Sequence, residues 1–374
     1  MIKRKELPKI VFVAQIPPPH LGQSIMHKFL IEANWKNVNK KHIKVNLSSA
    51  SNQFGVFSFA KILNIIEVIV QLWAERIKGK IDILYYPPSG PVSRKTFYKD
   101  LSILLFTRFL AGKTVFHFHA DKFNALLTKL NKLELFFAKL IYQKPDLCIV
   151  ILEPQIEDVS WLKPKEVRVI PNGIEDKFVG KKIKRVQLLP LNILYVGLLV
   201  PYKGIKYAIY ASKILKEKKC DFKWTFVGGW SSPEFKIEIL KLIDEFKLQE
   251  YIIFAGEKID EEKWEYFERA DILSLPTYTD LMPLCIIEGM MMSLPIITTS
   301  LRTLSFIVDE KVNGLLSAPK NPEQLAFNID ILYKDFALRQ KMGINARQKF
   351  IENYTIDKHL EKMQNAIYSI LEKN

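Results

Sequence analysis

Short apolar runs alternate with longer amphipathic segments along almost the whole chain. The runs are rich in β-branched and aromatic residues, which is typical of buried strands. This pattern predicts strands at 10–14, 43–47, 82–86, 114–118, 146–151 and 167–170, and again at 192–196, 223–227, 252–255, 272–275, 295–298 and 314–317.

The amphipathic segments carry apolar residues at helical spacing. They predict helices at 24–36, 60–78, 94–111, 122–143, 203–218, 233–247, 260–269, 284–292, 323–350 and 356–372. Strands that alternate with helices indicate βαβ units and mostly parallel sheets. The predicted fold class is therefore α/β.

The chain has 374 residues, which is more than one hydrophobic core normally serves. Segment 178–190 is charged and without periodicity, so it is interpreted as a linker. We predict a first domain over 1–180, a second over 181–355 and a final helix over 356–374 that returns to the first domain. Two doubly wound sheets facing one another would leave a cleft at the carboxyl ends of their strands, where such folds bind ligands.

The composition is that of a globular protein, with 48% hydrophobic and 25% charged residues. The three cysteines are scattered and have no metal-ligand spacing, so neither a disulfide scaffold nor a zinc site is expected. No apolar stretch approaches the roughly 20 residues of a membrane-spanning helix. The run 10–14 is too short for the core of a signal peptide, and we expect a cytoplasmic protein.

The positive charge is concentrated in the first half. Residues 1–180 hold 27 Lys and Arg against 15 Asp and Glu, whereas the remainder holds 28 against 25. A basic domain attracts nucleic acid, anionic lipid or acidic polysaccharide, or it serves solubility alone. Lysines recur among the apolar residues of 122–144, which could lie on an anionic membrane or merely cover the sheet. Nucleic acid is supported by charge alone and is not an expected partner.

The most informative chemistry lies where a predicted strand leads into a predicted helix. Asp280 lies in the loop, and Pro283 suits the first helical position because its missing N–H would be unpaired there. The amides of Leu284 and Cys285 would then point out of the positive end of the helix dipole, which favours anions. Glu288 lies one turn further in. Taken alone, both acids could merely favour the dipole.

This region resembles the retaining glycosyltransferases of family 4, which have the GT-B fold. The family has Pro-Ser-x-x-Glu, then after seven residues a second Glu and Ala-Met-Ala-x-Gly-x-Pro. Segments 169–175 and 195–204 resemble the family's Val-Ile-Pro-Asn-Gly-Val-Asp and Val-Gly-Arg-Leu-x-x-x-Lys-Gly, and 17–24 resembles its first loop. The matching residues of the main segment are Pro276, Thr277, Asp280, Glu288, Gly289, Met290, Met291, Ser293 and Pro295.

The resemblance implies a role for each matching residue. Asp280 would contact the hydroxyls of the donor sugar, Glu288 would hold the nucleotide ribose, and Lys203 would stabilise the leaving diphosphate. His119 would lie near the donor sugar. The other positions assigned to the donor are Gly22, Gly197, Leu281, Met282, Leu284 and Cys285.

The resemblance also implies the reaction. A retaining hexosyl or related transferase would move a sugar from a nucleotide-diphosphate sugar to a saccharide or lipid-linked saccharide in polysaccharide or glycolipid assembly. The second domain would hold the donor, and the basic first domain would hold the acceptor and could attach to the inner face of a membrane. No metal and no further cofactor are expected, in agreement with the absence of an Asp-x-Asp pair.

Two departures from the family pattern motivate a second hypothesis. Leu198 stands where the family has an arginine, and Pro283 replaces a glycine. A non-catalytic GT-B homologue that serves as a partner subunit in a polysaccharide-assembly complex would tolerate both changes. A dinucleotide oxidoreductase, a P-loop enzyme and a serine hydrolase are poorly supported, because their glycine-containing motifs are not found.

Overall fold

The computed structural model describes residues 7–18, 22–45, 59–89, 94–120, 123, 127–180 and 185–372. The chain divides into two compact units. The first comprises 1–172 and 356–374, and the second comprises 173–355, whereas the sequence placed the boundary at 180/181. Among the described helices, none combines the length and the apolar character that crossing a membrane requires.

The described strands of the first unit form one parallel sheet in the order β2-β1-β3-β4-β5-β6. They are β1 (Lys9–Ala14), β2 (Asn39–Lys44), β3 (Ile81–Tyr86), β4 (Ala111–Phe118), β5 (Leu147–Val150) and β6 (Val167–Val169). The helices between them are α1 (Gly22–Glu32), α2 (Phe59–Lys78), α3 (Arg94–Thr107), α4 (Lys132–Tyr142) and α5 (Gln155–Val159).

The second unit repeats this plan with the strand order β12-β11-β10-β7-β8-β9. Its strands are β7 (Leu191–Val196), β8 (Phe222–Val227), β9 (Ile252–Gly256), β10 (Ile272–Leu275), β11 (Ile296–Thr299) and β12 (Gly314–Ser317). Its helices are α6 (Ile205–Glu217), α7 (Pro233–Glu245), α8 (Asp260–Arg269), α9 (Leu284–Met291), α10 (Pro322–Lys334) and α11 (Phe336–Asn353). The prediction of two Rossmann-like parallel-sheet domains is confirmed.

The last helix, α12 (Ile356–Glu372), packs on the sheet of the first unit. Its buried Met363 and Ile367 belong to the same apolar cluster as Phe12 of β1 and Tyr85 of β3. Burial of this apolar face supplies most of the driving force for docking, because the free energy gained scales with the apolar area removed from water.

Two predicted boundaries in the first unit are wrong. The strand predicted at 43–47 is β2 at Asn39–Lys44, and the helix predicted at 94–111 ends at Thr107. A short 3₁₀ turn over Arg108–Leu110 follows, and β4 begins at Ala111. The apolar spacing of α3 continues through the turn, so periodicity alone could not locate the end of this helix.

The continuous helix predicted at 122–143 is also wrong where the structure describes it. Helix α4 begins at Lys132, because Asn131 and Glu134 form a reciprocal capping box. The Asn131 side chain accepts from the Glu134 amide and the Glu134 carboxylate accepts from the Asn131 amide, each at 2.8 Å. The Asn131-x-x-Glu134 spacing is a local sequence signal for this helix start. Residues 124–126 lie outside the described part.

The single helix predicted at 323–350 consists of two helices. Asp335 separates α10 from α11, and its carboxylate accepts a hydrogen bond from the Leu338 amide at 2.8 Å. An aspartate at this position is a common N-cap, so the break was readable from the sequence. Helix α5 was not predicted, because five residues are too few to establish a helical period.

Candidate functional site

The end of β10 and the start of α9 frame the candidate site within the second unit. Pro283 is the N-cap of α9, one residue before the position predicted, and it makes no side-chain capping bond. The first amides of a helix have no carbonyl partner within it, and here these belong to Leu284 and Cys285. The Ile286 amide donates to the Pro283 carbonyl at 3.1 Å. The helix start therefore favours an anionic group.

Lys203 and Asp280 form a close ion pair at this helix start. The Nζ atom of Lys203, in a 3₁₀ turn after β7, lies 2.7 Å and 2.8 Å from the two carboxylate oxygens of Asp280. The two side chains are only 15% and 17% exposed. Burial is the largest single influence and lowers the pKa of Lys203, but the charge and hydrogen bond of Asp280 together with smaller nearby contributions outweigh it, so the net pKa is raised. Lys203 is therefore a permanent cation.

The backbone brings these two side chains together through a close contact between loops. Gly204 has φ +81°, and a Cβ atom there would lie 1.9 Å from the carbonyl oxygen of Pro276. The Tyr278 amide donates to the Tyr202 carbonyl at 3.0 Å. The Thr303 hydroxyl donates to the Asp280 carbonyl at 2.8 Å. The loop after β7 therefore packs directly against the loop after β10.

A second ion pair joins Glu288 to a residue that the sequence did not single out. The Lys263 Nζ atom, on α8, lies 2.7 Å from a carboxylate oxygen of Glu288, and both side chains are largely buried. The same ammonium lies 4.4 Å from the ring centroid of Trp264. No local motif marks Lys263, since 25 residues separate it from Glu288 and only the fold pairs them.

Cys285 is buried in the first turn of α9, between the acids of the two ion pairs along the chain. Burial raises the pKa of its thiol to about 12. Among the nearby charges, Glu288 and Asp280 also raise this pKa, whereas Lys203 and Lys263 lower it. All four charges therefore act on one buried atom at the first turn of the helix. The thiol stays protonated at neutral pH, so Cys285 is not a nucleophile here.

The other donor positions predicted in this unit lie around the same loops. Gly197 follows β7. A Cβ atom on Gly228 would lie 1.9 Å from the carbonyl oxygen of Gly197, so the chain segments after β7 and β8 are in close contact. Leu198 is 39% exposed and brings no charge. Leu281 and Met282 are buried in the loop before α9, and their side chains therefore anchor that loop.

Two predicted site residues belong to the first unit. Gly22 is the first residue of α1 rather than part of the loop expected there, while residues 19–21 lie outside the described part. His119 follows β4, with its ring centroid 4.0 Å from that of His117 and 5.0 Å from that of His27. Burial lowers the pKa of His119 well below its usual value, so the imidazole is neutral.

The second unit carries the similarity to a known sequence family. Residues 181–349 match the family model described as Glycosyl transferases group 1. An uncharacterized glycosyltransferase of Methanocaldococcus jannaschii is 26% identical over 216 residues, which cover 55% of this chain and 54% of that protein. The chain thus spans about half the length of the curated relatives it matches.

Solved structures show the fold of the whole chain. Sucrose-phosphate synthase from Thermosynechococcus elongatus has a TM-score of 0.73 at 17% identity, over 98% of this chain and 100% of that one. HepE from Anabaena, in complex with UDP and glucose, has a TM-score of 0.70 at 13% identity, over 97% and 100%. The GT-B fold predicted from the sequence is confirmed.

A double-mutant cycle should measure the Lys203–Asp280 pair. We expect each single variant, Lys203→Met or Asp280→Asn, to have a lower free energy of unfolding than the double variant. The reason is that each single change leaves one poorly solvated group without its partner. Urea denaturation should give a coupling energy of about 1–3 kcal/mol. The exposed pair Lys206–Glu238 is the matched control, with an expected coupling of at most about 0.5 kcal/mol. Equal values for both pairs would contradict the account.

Proposed function

We propose that this protein is a glycosyltransferase whose second unit holds a nucleotide-diphosphate sugar. One observation carries the proposal: two largely buried lysine–carboxylate pairs involve acids on either side of the start of α9, Asp280 before it and Glu288 in its second turn. Helix-start amides and lysines suit a diphosphate, and carboxylates suit the hydroxyls of a sugar and a ribose. The four charged residues all fall within the segment that matches Glycosyl transferases group 1. The UDP bound by HepE supports this class of donor.

The ion pairs give each charged side chain a defined part in the proposal. An ammonium group has three N–H donors, so Lys203 can keep its contact with Asp280 and still donate to a phosphate oxygen. Asp280 would accept from a sugar hydroxyl while Lys203 holds its carboxylate in place. Glu288, held in the same way by Lys263, would accept from the ribose hydroxyls. The amides of Leu284 and Cys285 would stabilise the departing diphosphate.

We further propose that the transfer retains the configuration of the anomeric carbon. Asp280 and Glu288 are both engaged by lysines, and the Cys285 thiol is protonated, so none of these three groups suits nucleophilic attack. Attack of the acceptor on the face from which the phosphate leaves, with that phosphate taking the proton, needs no such group. The proposed acceptor is a saccharide or a lipid-linked saccharide, and the proposed sugar is a hexose or a related unit.

A specific observation also favours a second candidate, a non-catalytic partner subunit of a polysaccharide-assembly complex. Each lysine of the site already has a carboxylate partner, and Leu198 adds no further cation. A leaving diphosphate would then meet little uncompensated positive charge beyond the helix start. In such a homologue the ion pairs would serve the fold alone.

Calorimetry with nucleoside diphosphates separates these two candidates. We expect at least one diphosphate from a panel of bases to bind, and Glu288→Gln to weaken its binding about tenfold or more because a ribose contact and the pairing of Lys263 are lost. Glu238→Gln is the control, since Glu238 forms an exposed ion pair with Lys206 elsewhere in the same unit. Binding of none of the diphosphates would favour the partner subunit.

The stereochemistry of the product tests the retaining assignment separately. With a donor that supports turnover, we expect the new glycosidic bond to have the same anomeric configuration as the bond to the phosphate. Proton NMR of the early product reads this directly from the coupling of the anomeric hydrogen. An inverted product would overturn retention but not the glycosyltransferase itself.

We also propose that the first unit attaches to the cytoplasmic face of an anionic membrane. Helices α2, α3 and α4 and the 3₁₀ turn after α3 expose a group of apolar side chains that we name the apolar patch. It comprises Leu63, Ile66, Val70, Trp73, Ile77, Phe106, Phe109, Leu133, Phe136 and Leu140. The rings of Trp73 and Phe109 are 5.7 Å apart, and Arg108 donates to the Leu140 carbonyl at 3.2 Å. Lysines of α4 and the excess of basic residues in this unit match the charge of such a surface.

Vesicle sedimentation tests this attachment. At low salt we expect the protein to bind anionic vesicles much more than neutral ones. We expect Ile77→Asp combined with Phe136→Asp to reduce binding about tenfold or more, because burying one such side chain contributes about 1.5–3 kcal/mol. Ile237→Asp is the control, since Ile237 is exposed in the second unit. Equal binding to both kinds of vesicle would rule out the attachment.

A further inference from the structure

Three histidines of the first unit converge beside the carboxyl end of β4. His117 lies in β4, and His119 follows two residues later on the same face of the chain, since side chains alternate along a strand. His27 comes from α1. One ring nitrogen of each histidine lies within 4.8 Å of the corresponding atoms of the other two. We name these residues the histidine cluster.

The Nε2 atoms of the histidine cluster lack the partners that buried polar atoms normally have. All three are buried, and none forms a hydrogen bond within the part of the chain that the structure describes. The large majority of buried side-chain polar atoms in proteins have a hydrogen-bond partner, so three atoms without one in the same place require an explanation. A single ligand that accepts lone pairs from all three nitrogens would supply it.

The opposite ring nitrogens of His27 and His117 have outer partners, as in metal-bound histidines. The Nδ1 atom of His27 lies 3.1 Å from the carbonyl oxygen of Gln15. A carbonyl can only accept, so Nδ1 carries the proton and Nε2 of His27 has a free lone pair. The Nδ1 atom of His117 lies 2.6 Å from the Tyr85 hydroxyl oxygen, which can accept a hydrogen bond from the Nδ1–H group in the same way. Such outer contacts fix the tautomer and the orientation of a metal-binding imidazole.

Burial keeps the histidine cluster in the form that binds metals. It lowers the pKa of His27 to about 4, and it lowers the pKa of His117 and His119 well below their usual value. Neighbouring histidines lower these pKa values further: His359 acts on all three, His42 acts on His27, and His27 acts on His117 and His119. All three side chains are therefore neutral at pH 7, and a neutral imidazole is the form that coordinates a metal.

We propose that His27, His117 and His119 bind one divalent transition-metal ion, with Zn²⁺ as the best match. Three imidazole nitrogens are a recurrent zinc ligand set, and they leave a fourth position for water or another ligand. Zinc–nitrogen bonds of about 2.0–2.1 Å would draw the three nitrogens somewhat closer together. The group contains no carboxylate, which disfavours Mg²⁺ and Ca²⁺.

The bound ion would link α1, through His27, to the end of β4, through His117 and His119. It would also give the Nε2 atom of His119 a partner. The histidine cluster lies wholly within the first unit, whereas the charged residues assigned to the donor lie in the second. The role of His119 beside the donor sugar stays a prediction from the resemblance. The proposed metal site goes beyond the expectation from the sequence that no metal is bound. The expectation rested on the spacing of the cysteines and on the absence of an Asp-x-Asp pair. A cluster of three histidines contains neither of these patterns.

Titration of the chelator-treated full-length protein with Zn²⁺ alone tests the proposal. We expect one ion per chain by calorimetry, and a thermal midpoint that rises with the Zn²⁺ concentration. Changing both His117→Gln and His119→Gln should weaken binding at least about a hundredfold. His42→Gln is the matched control and should bind as the unaltered protein does, because His42 contacts the Ala14 carbonyl and lies outside the cluster. Tyr85→Phe should weaken binding about 10–100-fold by removing an outer contact.

Two results would overturn the site. One is the lack of one-to-one Zn²⁺ binding by the unaltered protein, and the other is unchanged binding by the folded double variant. X-ray absorption of the zinc-loaded unaltered protein keeps the test decisive if the double variant fails to fold. Three imidazole ligands are expected in that spectrum, and fewer than three would exclude the proposed ligand set.

Discussion

The parallel arrangement of the strands is the constraint on which both candidate sites depend. Each strand of a parallel sheet must be joined to the next by a crossover, so all carboxyl ends lie at one edge and the loops that leave them collect there. In the second unit this edge brings together the turn with Lys203 after β7 and the loop with Asp280 after β10. In the first unit it brings Gln15 after β1 close to the histidines of α1 and β4.

The site in the second unit is built from paired charges. A lysine held by an aspartate keeps a fixed position and loses little freedom when a ligand arrives, which is a form of preorganisation. The same pairing lowers the free positive charge that an incoming diphosphate meets. The amides at the start of α9 are then important, because their partial charges are not neutralised by any side-chain cap from Pro283. Because Leu198 is uncharged, binding of a diphosphate would depend even more on the amides at the start of α9.

The site in the first unit is built from neutral groups. Its three imidazoles are kept uncharged by burial, and the outer nitrogens of His27 and His117 contact Gln15 and Tyr85. Neutral nitrogens with free lone pairs suit a metal ion, whereas the charged pairs of the second unit suit a diphosphate and hydroxyls. The two units share one plan of strands and helices, yet the residues in their loops favour unlike ligands. The fold alone therefore does not specify what each unit binds.

The sequence by itself determined the alternation of strands and helices, and hence two parallel sheets, because buried strands and amphipathic helices have distinct periods. It also marked Asp280, Lys203 and Glu288, because these residues lie in segments with a recognisable spacing. The N-cap at Asp335 is a local signal for the break between α10 and α11, but the end of α3 has no such signal because its apolar spacing continues into the following turn. Only the tertiary structure paired Lys263 with Glu288 and joined His27 to His117 and His119. These contacts join segments that are distant along the chain. Local periodicity and short motifs describe neighbouring residues only, so they do not predict which distant side chains the sheet brings together.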